Sequence, residues 1–409
     1  MNWTRRTFIK TGLIATAGAP FLLQGCELSA DKHAGKQLFE LFRNPPVTSK
    51  PFVRWWWNGN KLSAKEILRE LDVMKEAGIG GVEINPIAFP GGDDLGIKSM
   101  TWLSPEWIEM VKVALKGAAE RDMICDIICG SGWPFGGEFL QPEERSQLLT
   151  LVGKKVKGAA KLHFNIDELL KEATPQVYSK YEGMTSEVYA FCLAPLEMSV
   201  FAPAQTIPFE KGSQEVAIDI PEGEFILYTL VKITGFQSVI LGSPGAAGPV
   251  VNHYDRKAVD KFLNRMSDEL FPAIKELKGF RSLFCDSMEL EGANWYSHML
   301  EEFRTRKGYD ISPYLPFILY KVGHMGHAIE GESTVLTGEA KEEILRARYD
   351  FYTACMEIIR DNFLKPYTQW CNRHGSLSRV QTYGREFHPL DASLYVDIPE
   401  CETWIDSYT

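Results

Sequence analysis

Positive charge is in deficit in this chain: 44 lysines and arginines stand against 54 aspartates and glutamates, for a net charge of −10 at pH 7. A surface of that sign argues against nucleic acid or an anionic membrane face as a partner. Long apolar runs are missing too, since beyond the amino-terminal segment nothing reaches the ~20 residues that a helical span needs. The eight cysteines follow no zinc or dithiol spacing. Several of them, Cys125, Cys129 and Cys285 included, sit in apolar runs, where the thiol behaves as a small hydrophobe. His253, His298 and His388 have no ligand spacing and read as surface or internally satisfied residues. No internal repeat or low-complexity block is present.

What the sequence has in quantity is aromatic surface: 10 Trp, 15 Tyr and 23 Phe in 409 residues that are 45% hydrophobic. Such a chain can bury a large core, and most of these rings belong there. The remainder offer the flat faces on which sugar rings stack. Residues 1–26 read as a targeting segment and stand outside the fold. Arg5-Arg6-Thr7-Phe8-Ile9-Lys10 resembles a twin-arginine export signal, and Leu23-Gln24-Gly25-Cys26 resembles the lipobox of bacterial lipoproteins. Cys26 is therefore expected to carry lipid and to anchor an exported protein in the periplasm or at the outer surface. Residues 27–50, polar and carrying Pro45-Pro46, read as the tether.

From residue 51 to 148 the chain alternates strand, loop and helix. Phe52–Trp57 is a strand; Ser63 and Glu66 form a capping box for a helix with Ile67, Leu71 and Met74 on one face. Gly81–Asn85 is the next strand, Ser104-Pro105 opens a second helix, and Met123–Ile128 is a third strand. Three such units in a row predict a parallel sheet covered by helices. Between 149 and 224 short Val/Thr/Phe-rich runs replace helical periodicity, which predicts a small β-rich insertion. The α/β rhythm returns over 225–409, with strands expected at Phe225–Ile233, Leu283–Cys285 and Ser378–Thr382 and a long helix from Glu339 that Pro366 should kink. The fold class is thus α/β, a (β/α)8 TIM-barrel-like domain. With about six units against the eight of a closed barrel, and an end at Thr409 with no closing helix, it is expected to be incomplete at the C-terminus.

The chemistry gathers where a strand ends. Asp286, Ser287, Glu289 and Glu291 follow the Leu283–Cys285 run, and acids at that point are where a barrel keeps its active site; a solvated acidic loop is the plainer reading. Glycosidases work with paired carboxyls, in inverting enzymes ~6.5–9.5 Å apart, one donating a proton and one activating water. An apolar strand end helps a carboxyl keep its proton, which suits Glu289 to the acid role, with Glu291 as its fallback. Asp286 is a candidate to orient Glu289 or to bind metal. Alternation puts Trp55 and Trp57 on one face of the first strand and Trp56 on the other, to be divided between core packing and a sugar platform. Asn58 and Arg54 are placed to bond hydroxyls. The loop Gly130–Gly137 lacks the Lys-Ser/Thr of a phosphate cradle, and Trp133 at its centre suits a subsite wall. Arg379, Gln381 and Tyr383 alternate along a strand toward the cavity, with structural hydrogen bonding an equal account of Arg379.

Taken in order, Arg54-Trp55-Trp56-Trp57-Asn58-Gly59, the Gly130–Gly137 loop, Asp286-Ser287-Met288-Glu289, Arg379-Val380-Gln381-Thr382-Tyr383-Gly384 and Pro399-Glu400-Cys401-Glu402-Thr403 resemble blocks of the α-L-rhamnosidases of glycoside hydrolase family 106. The resemblance runs from about residue 37 to the end. It implies inverting hydrolysis of terminal α-L-rhamnosides on plant-type polysaccharides or oligosaccharides, and a calcium ion near the sugar hydroxyls. Glu289 matches the family's general acid, and Glu402, with Glu400, matches a later acidic block; the alternative places the base in a still later strand. Calcium ligands are left open among Asp286, Glu400 and Glu402. A glycosidase of different sugar specificity and a non-catalytic carbohydrate-binding lipoprotein are the competing readings.

Overall fold

The computed structural model describes residues 32–91, 95–384 and 389–402. Two compact units divide the chain, residues 1–50 and 51–409. In the first, Lys32–Arg43 is helical where a tether was expected; the spacing of Leu38, Leu41 and Phe42 is helical, and it outweighed the polar composition of the segment. The expected signal and the lipidation residue Cys26 lie outside the described residues.

The second unit is built on a parallel sheet. Its strands are β1 (Phe52–Asn58), β2 (Gly81–Ile87), β3 (Ile124–Ile128), β8 (Phe280–Cys285), β9 (Leu377–Gln381) and β10 (Ile398–Glu400), side by side in sequence order. Helices α1 (Ala64–Glu76) and α2 (Pro105–Glu120) make the first two crossovers, each started as the sequence predicts. Ser63 Oγ accepts the Glu66 N–H and Ser104 Oγ accepts that of Trp107, with Pro105 in the first turn. The buried faces of these helices, Leu71, Val111 and Leu115 among them, pack on the sheet. β1 and β10 are the two edges, so the described residues form an open six-stranded parallel sheet; the TIM barrel, which the sequence predicts as incomplete at its C-terminus, is not seen among them. A TIM barrel closes with eight strands of matched tilt and stagger.

Between β3 and β8 sits a four-stranded antiparallel sheet of β4 (Gln147–Asn165), β5 (Thr185–Pro195), β6 (Gln205–Ile207) and β7 (Glu215–Thr234), in the order β4-β7-β5-β6. This sheet runs from Gln147 to Thr234, beyond the 149–224 expected for a β-rich insertion. Phe225–Ile233 is no strand of the parallel sheet: it is the second half of β7, paired antiparallel with β4 from Gln147↔Thr234 onward. An apolar run reads the same in either setting, and only its partner distinguishes them.

Helix α3 (Arg256–Glu269) leads back to β8. After it come α4 (Met299–Lys307), closed by Gly308 at φ 83°, and the long α5 (Gly338–Ile359). Where a kink at Pro366 is expected, Arg360–Leu364 is a π turn, and α6 (Lys365–Arg373) continues from it. Proline brings no N–H for the preceding turn, so the ladder widens there.

Candidate active site

In a parallel sheet every strand ends on the same side, and the residues singled out in the sequence lie at that side. β1 ends at Asn58, β3 runs into the Gly130–Gly137 loop, β8 into Asp286–Glu291, β9 into Tyr383, and β10 into Glu402. The sequence alone could not have brought these five segments together; the strand order does.

Glu289 is held from two sides. Trp133 Nε1 donates to its Oε2 at 2.9 Å, and its backbone carbonyl accepts from Gln237 Nε2 at 2.6 Å. The turn that carries it is pinned to the end of β9, since the Met288 N–H donates to the Tyr383 carbonyl at 3.0 Å. Glu289, Glu291, Met325, Tyr383 and Gly384 line a cavity of about 270 Å³. A larger cavity of about 1020 Å³, lined by Tyr228, Phe317, Tyr320 and Tyr352 among others, holds none of the carboxyls at the strand ends. Chemistry rather than size therefore marks the candidate site.

Trp133 reaches Glu289 because its loop packs backbone to backbone on the segment after β7. The Ile240 N–H donates to the Trp133 carbonyl at 2.7 Å, and Gly132, at φ +58°, has no room for a Cβ, which would stand 2.0 Å from the Ile240 oxygen. Tyr383 donates to Gln381 Oε1 at 2.8 Å and also interacts with the carboxylate of Glu402. Burial, then that carboxylate, pushes its hydroxyl well above its usual pKa, so it stays a neutral donor. Glu402 itself is exposed. Glu291 is buried with φ +54°; its Oε1 accepts the Tyr178 N–H at 2.9 Å, and burial raises its carboxyl above the ordinary range.

The first strand corrects the expected platform. Trp55 and Trp57, candidates for the sugar platform, are core residues: Trp55 Nε1 donates to Glu70 Oε2 at 2.6 Å on α1, and Trp57 packs edge-on against Trp107 of α2 at 5.9 Å. Trp56, on the opposite face with Arg54 and Asn58, is 39% exposed and lies 6.5 Å from Trp133. The alternation was legible; which side faces the helices was not. Sequence reasoning leaves Trp56 undecided between core and platform, and it misses Gln237, which carries no local signal.

Beneath the strand ends lies a buried charge network. Arg379, for which a sugar contact and a structural role are equal expectations, takes the structural one: it is 7% exposed and bound to Glu83 Oε2 at 2.8 Å, to Asp126 Oδ2 at 3.2 Å and to both oxygens of Glu400. Arg281 adds a bond to Asp126 Oδ1 at 3.1 Å. Arg54 Nε approaches Glu83 Oε1 at 3.3 Å and its Nη1 approaches Asp286 Oδ2 at 2.9 Å. Burial lifts Glu83 from the ordinary 4.5 to about 7 against the pull of Arg379 and Arg54, and lifts Asp286 against Arg54. Acids inside apolar strands, as in Gly81-Val82-Glu83-Ile84 and Ile124-Cys125-Asp126-Ile127, are the signal that could have found this network, because buried charge must be paired. His253 also departs from expectation: it is buried against the rings of Phe135 and Phe363, and burial pushes its pKa down to about 3.

These pairings bear on calcium. Asp286 and Glu400 are already matched to arginines, and among the described residues no group of three or more His, Cys, Asp or Glu side chains is arranged to hold a metal ion. The donor set does not fit, and no step below passes through a metal.

Comparison with known proteins agrees with the geometry. A Formosa agariphila protein provisionally named a beta-glucuronidase is 23% identical over 399 aligned residues, 90% of this chain and 32% of that protein. The solved rhamnosidase from Novosphingobium sp. PP1Y superposes with a TM-score of 0.59 at 14% identity, over 88% of this chain and 49% of that one, a likeness of fold. The chain thus spans about a third to a half of the length of these relatives. The family of alpha-L-rhamnosidases designated glycoside hydrolase 106 matches residues 43–239 and 215–406, and by that match over most of its length the chain belongs to this family.

Proposed function

We propose that this chain carries the acid–base site of a glycoside hydrolase that releases terminal α-L-rhamnose from plant-type polysaccharides with inversion. Membership of the family supports this reading, and one observation carries it: Glu289 stands at a strand end, facing a cavity, with one oxygen fixed by Trp133 Nε1 at 2.9 Å. In the proposed mechanism Glu289 protonates the departing glycosidic oxygen while Glu402 takes a proton from the attacking water. Tyr383 orients Glu402, and Trp56 with Trp133 forms an aromatic corner for the sugar. The buried arginines hold the strand-end acids in register from below.

The relative's provisional name supports a second reading, in which the same acid–base pair serves another sugar, a β-glucuronide. Aryl glycosides of both sugars separate the two. Turnover of the α-L-rhamnoside alone supports the first reading, turnover of the β-glucuronide alone the second, and saccharide binding without turnover the non-catalytic alternative. Export and anchoring through a lipid on Cys26 complete the proposal and rest on the sequence signals; fatty-acid labelling that disappears in Cys26→Ser tests them.

A further inference from the structure

Arg54 has more partners than an edge-strand residue needs. Its guanidinium is a fork, with Nε toward Glu83 Oε1 at 3.3 Å and Nη1 toward Asp286 Oδ2 at 2.9 Å. The same group lies over two rings, 5.3 Å from the centre of Trp56 and 5.2 Å from that of Phe284. Each contact leads on toward Glu289. Asp286 accepts the Ser287 N–H at 2.8 Å and so stiffens the turn that ends in Glu289. Trp56 leans on Trp133, whose indole holds the Glu289 carboxylate.

We infer that Arg54 is a positioning residue for Glu289, acting by one path through Asp286 and by a second through Trp56 and Trp133. Its root is the charge network: Glu83, which anchors the Nε side, is itself tied to Arg379 at 2.8 Å. A guanidinium meets this geometry because its planar fork spans two carboxylates while its face stacks on indole; an ammonium is a single point of charge and does neither. A displacement of about 1 Å at a reacting group is enough to cost about 10²-fold in rate. The inference rests on the reading of Glu289 as the general acid.

Arg54→Lys and Arg54→Gln, compared with the unaltered chain, test it through kcat and KM on an aryl α-L-rhamnoside and through thermal unfolding. Both variants should lose about 10- to 100-fold in kcat with KM within about 3-fold, and the lysine variant should melt close to the parent. Full recovery of kcat by lysine overturns the inference, because charge alone would then suffice. A raised KM at unchanged kcat overturns it as well, since Arg54 would then bind the sugar directly. If the unaltered chain cleaves no glycoside, the acid assignment fails, but the link from Arg54 to the turn remains open to a separate test. In urea unfolding, Arg54→Gln, Asp286→Asn and the double variant should shift the midpoint by nearly the same amount. Additive shifts would show that the two side chains do not act together.

Discussion

Three consecutive tryptophans in β1 lead separate lives, and a single backbone register decides which. Trp55 and Trp57 face the helices and are 6% and 2% exposed, whereas Trp56 faces the candidate site. Trp55→Ala should cost about 3–5 kcal/mol in denaturant unfolding, as other buried Trp truncations do. Trp56→Ala should cost about 1 kcal/mol or less, and its effect should appear in the hydrolysis assay. The reverse pattern would mean that the strand is turned over. Trp133→Phe keeps an aromatic ring and removes the indole N–H from Glu289; loss of that hydrogen bond, about 0.5–1.5 kcal/mol, should lower kcat by roughly 2- to 10-fold. At this scale the sequence separates Trp56 from Trp55 and Trp57 and leaves open which face meets the helices. Period-two alternation sorts a strand into two faces, but it does not say which face meets a helix when both are aromatic.

At the scale of elements, the inner face of the sheet sets a pH dependence. Arg54, Glu83 and Asp126 stand side by side across β1, β2 and β3. Glu83 is lifted from 4.5 to about 7, so the folded chain binds a proton there that the unfolded chain has released. The stability it contributes is fully present below about pH 4.5 and is lost as the pH rises toward 7. Glu83→Gln removes this titration. The stability gap between parent and variant, measured by urea unfolding, should therefore change in the parent's disfavour as the pH is raised from 4.5 to 7. A gap constant over that window would mean that Glu83 does not titrate in it. The loop after β3 is constrained by its backbone. Gly132→Ala places a Cβ 2.0 Å from the Ile240 oxygen at a positive φ, and should cost about 2 kcal/mol or more while releasing Trp133 from Glu289. Helix starts were legible because capping is local, Ser63 and Ser104 being the examples. The partner of Phe225–Ile233 was not, because pairing with Leu148–Val156, 69 to 85 positions earlier, leaves no mark within the run itself.

On the scale of the whole chain, strand order does the assembling. Six parallel strands in sequence order bring Asn58, Trp133, Glu289, Tyr383 and Glu402 to one end of one sheet from segments spread over some 350 residues. The acidic residues were visible in the sequence as strand-end clusters, and the family resemblance supplied their roles. Beneath them lies the floor where Arg54, Arg379 and Arg281 pair with Glu83, Asp126, Asp286 and Glu400; the acids within apolar strands signal it, but their partners are set by the strand order. The central claim is that Glu289 gives its proton to the leaving oxygen, and dependence on the leaving group tests it most directly. Rates for Glu289→Gln and the unaltered chain should be compared on two α-L-rhamnosides, one with a dinitrophenolate leaving group and one with a simple alcohol. A general acid matters most when the leaving group is basic, so the variant should lose about 10²–10⁴-fold on the alkyl rhamnoside and far less on the dinitrophenyl one. Equal losses on both substrates would contradict the account and assign Glu289 to another task.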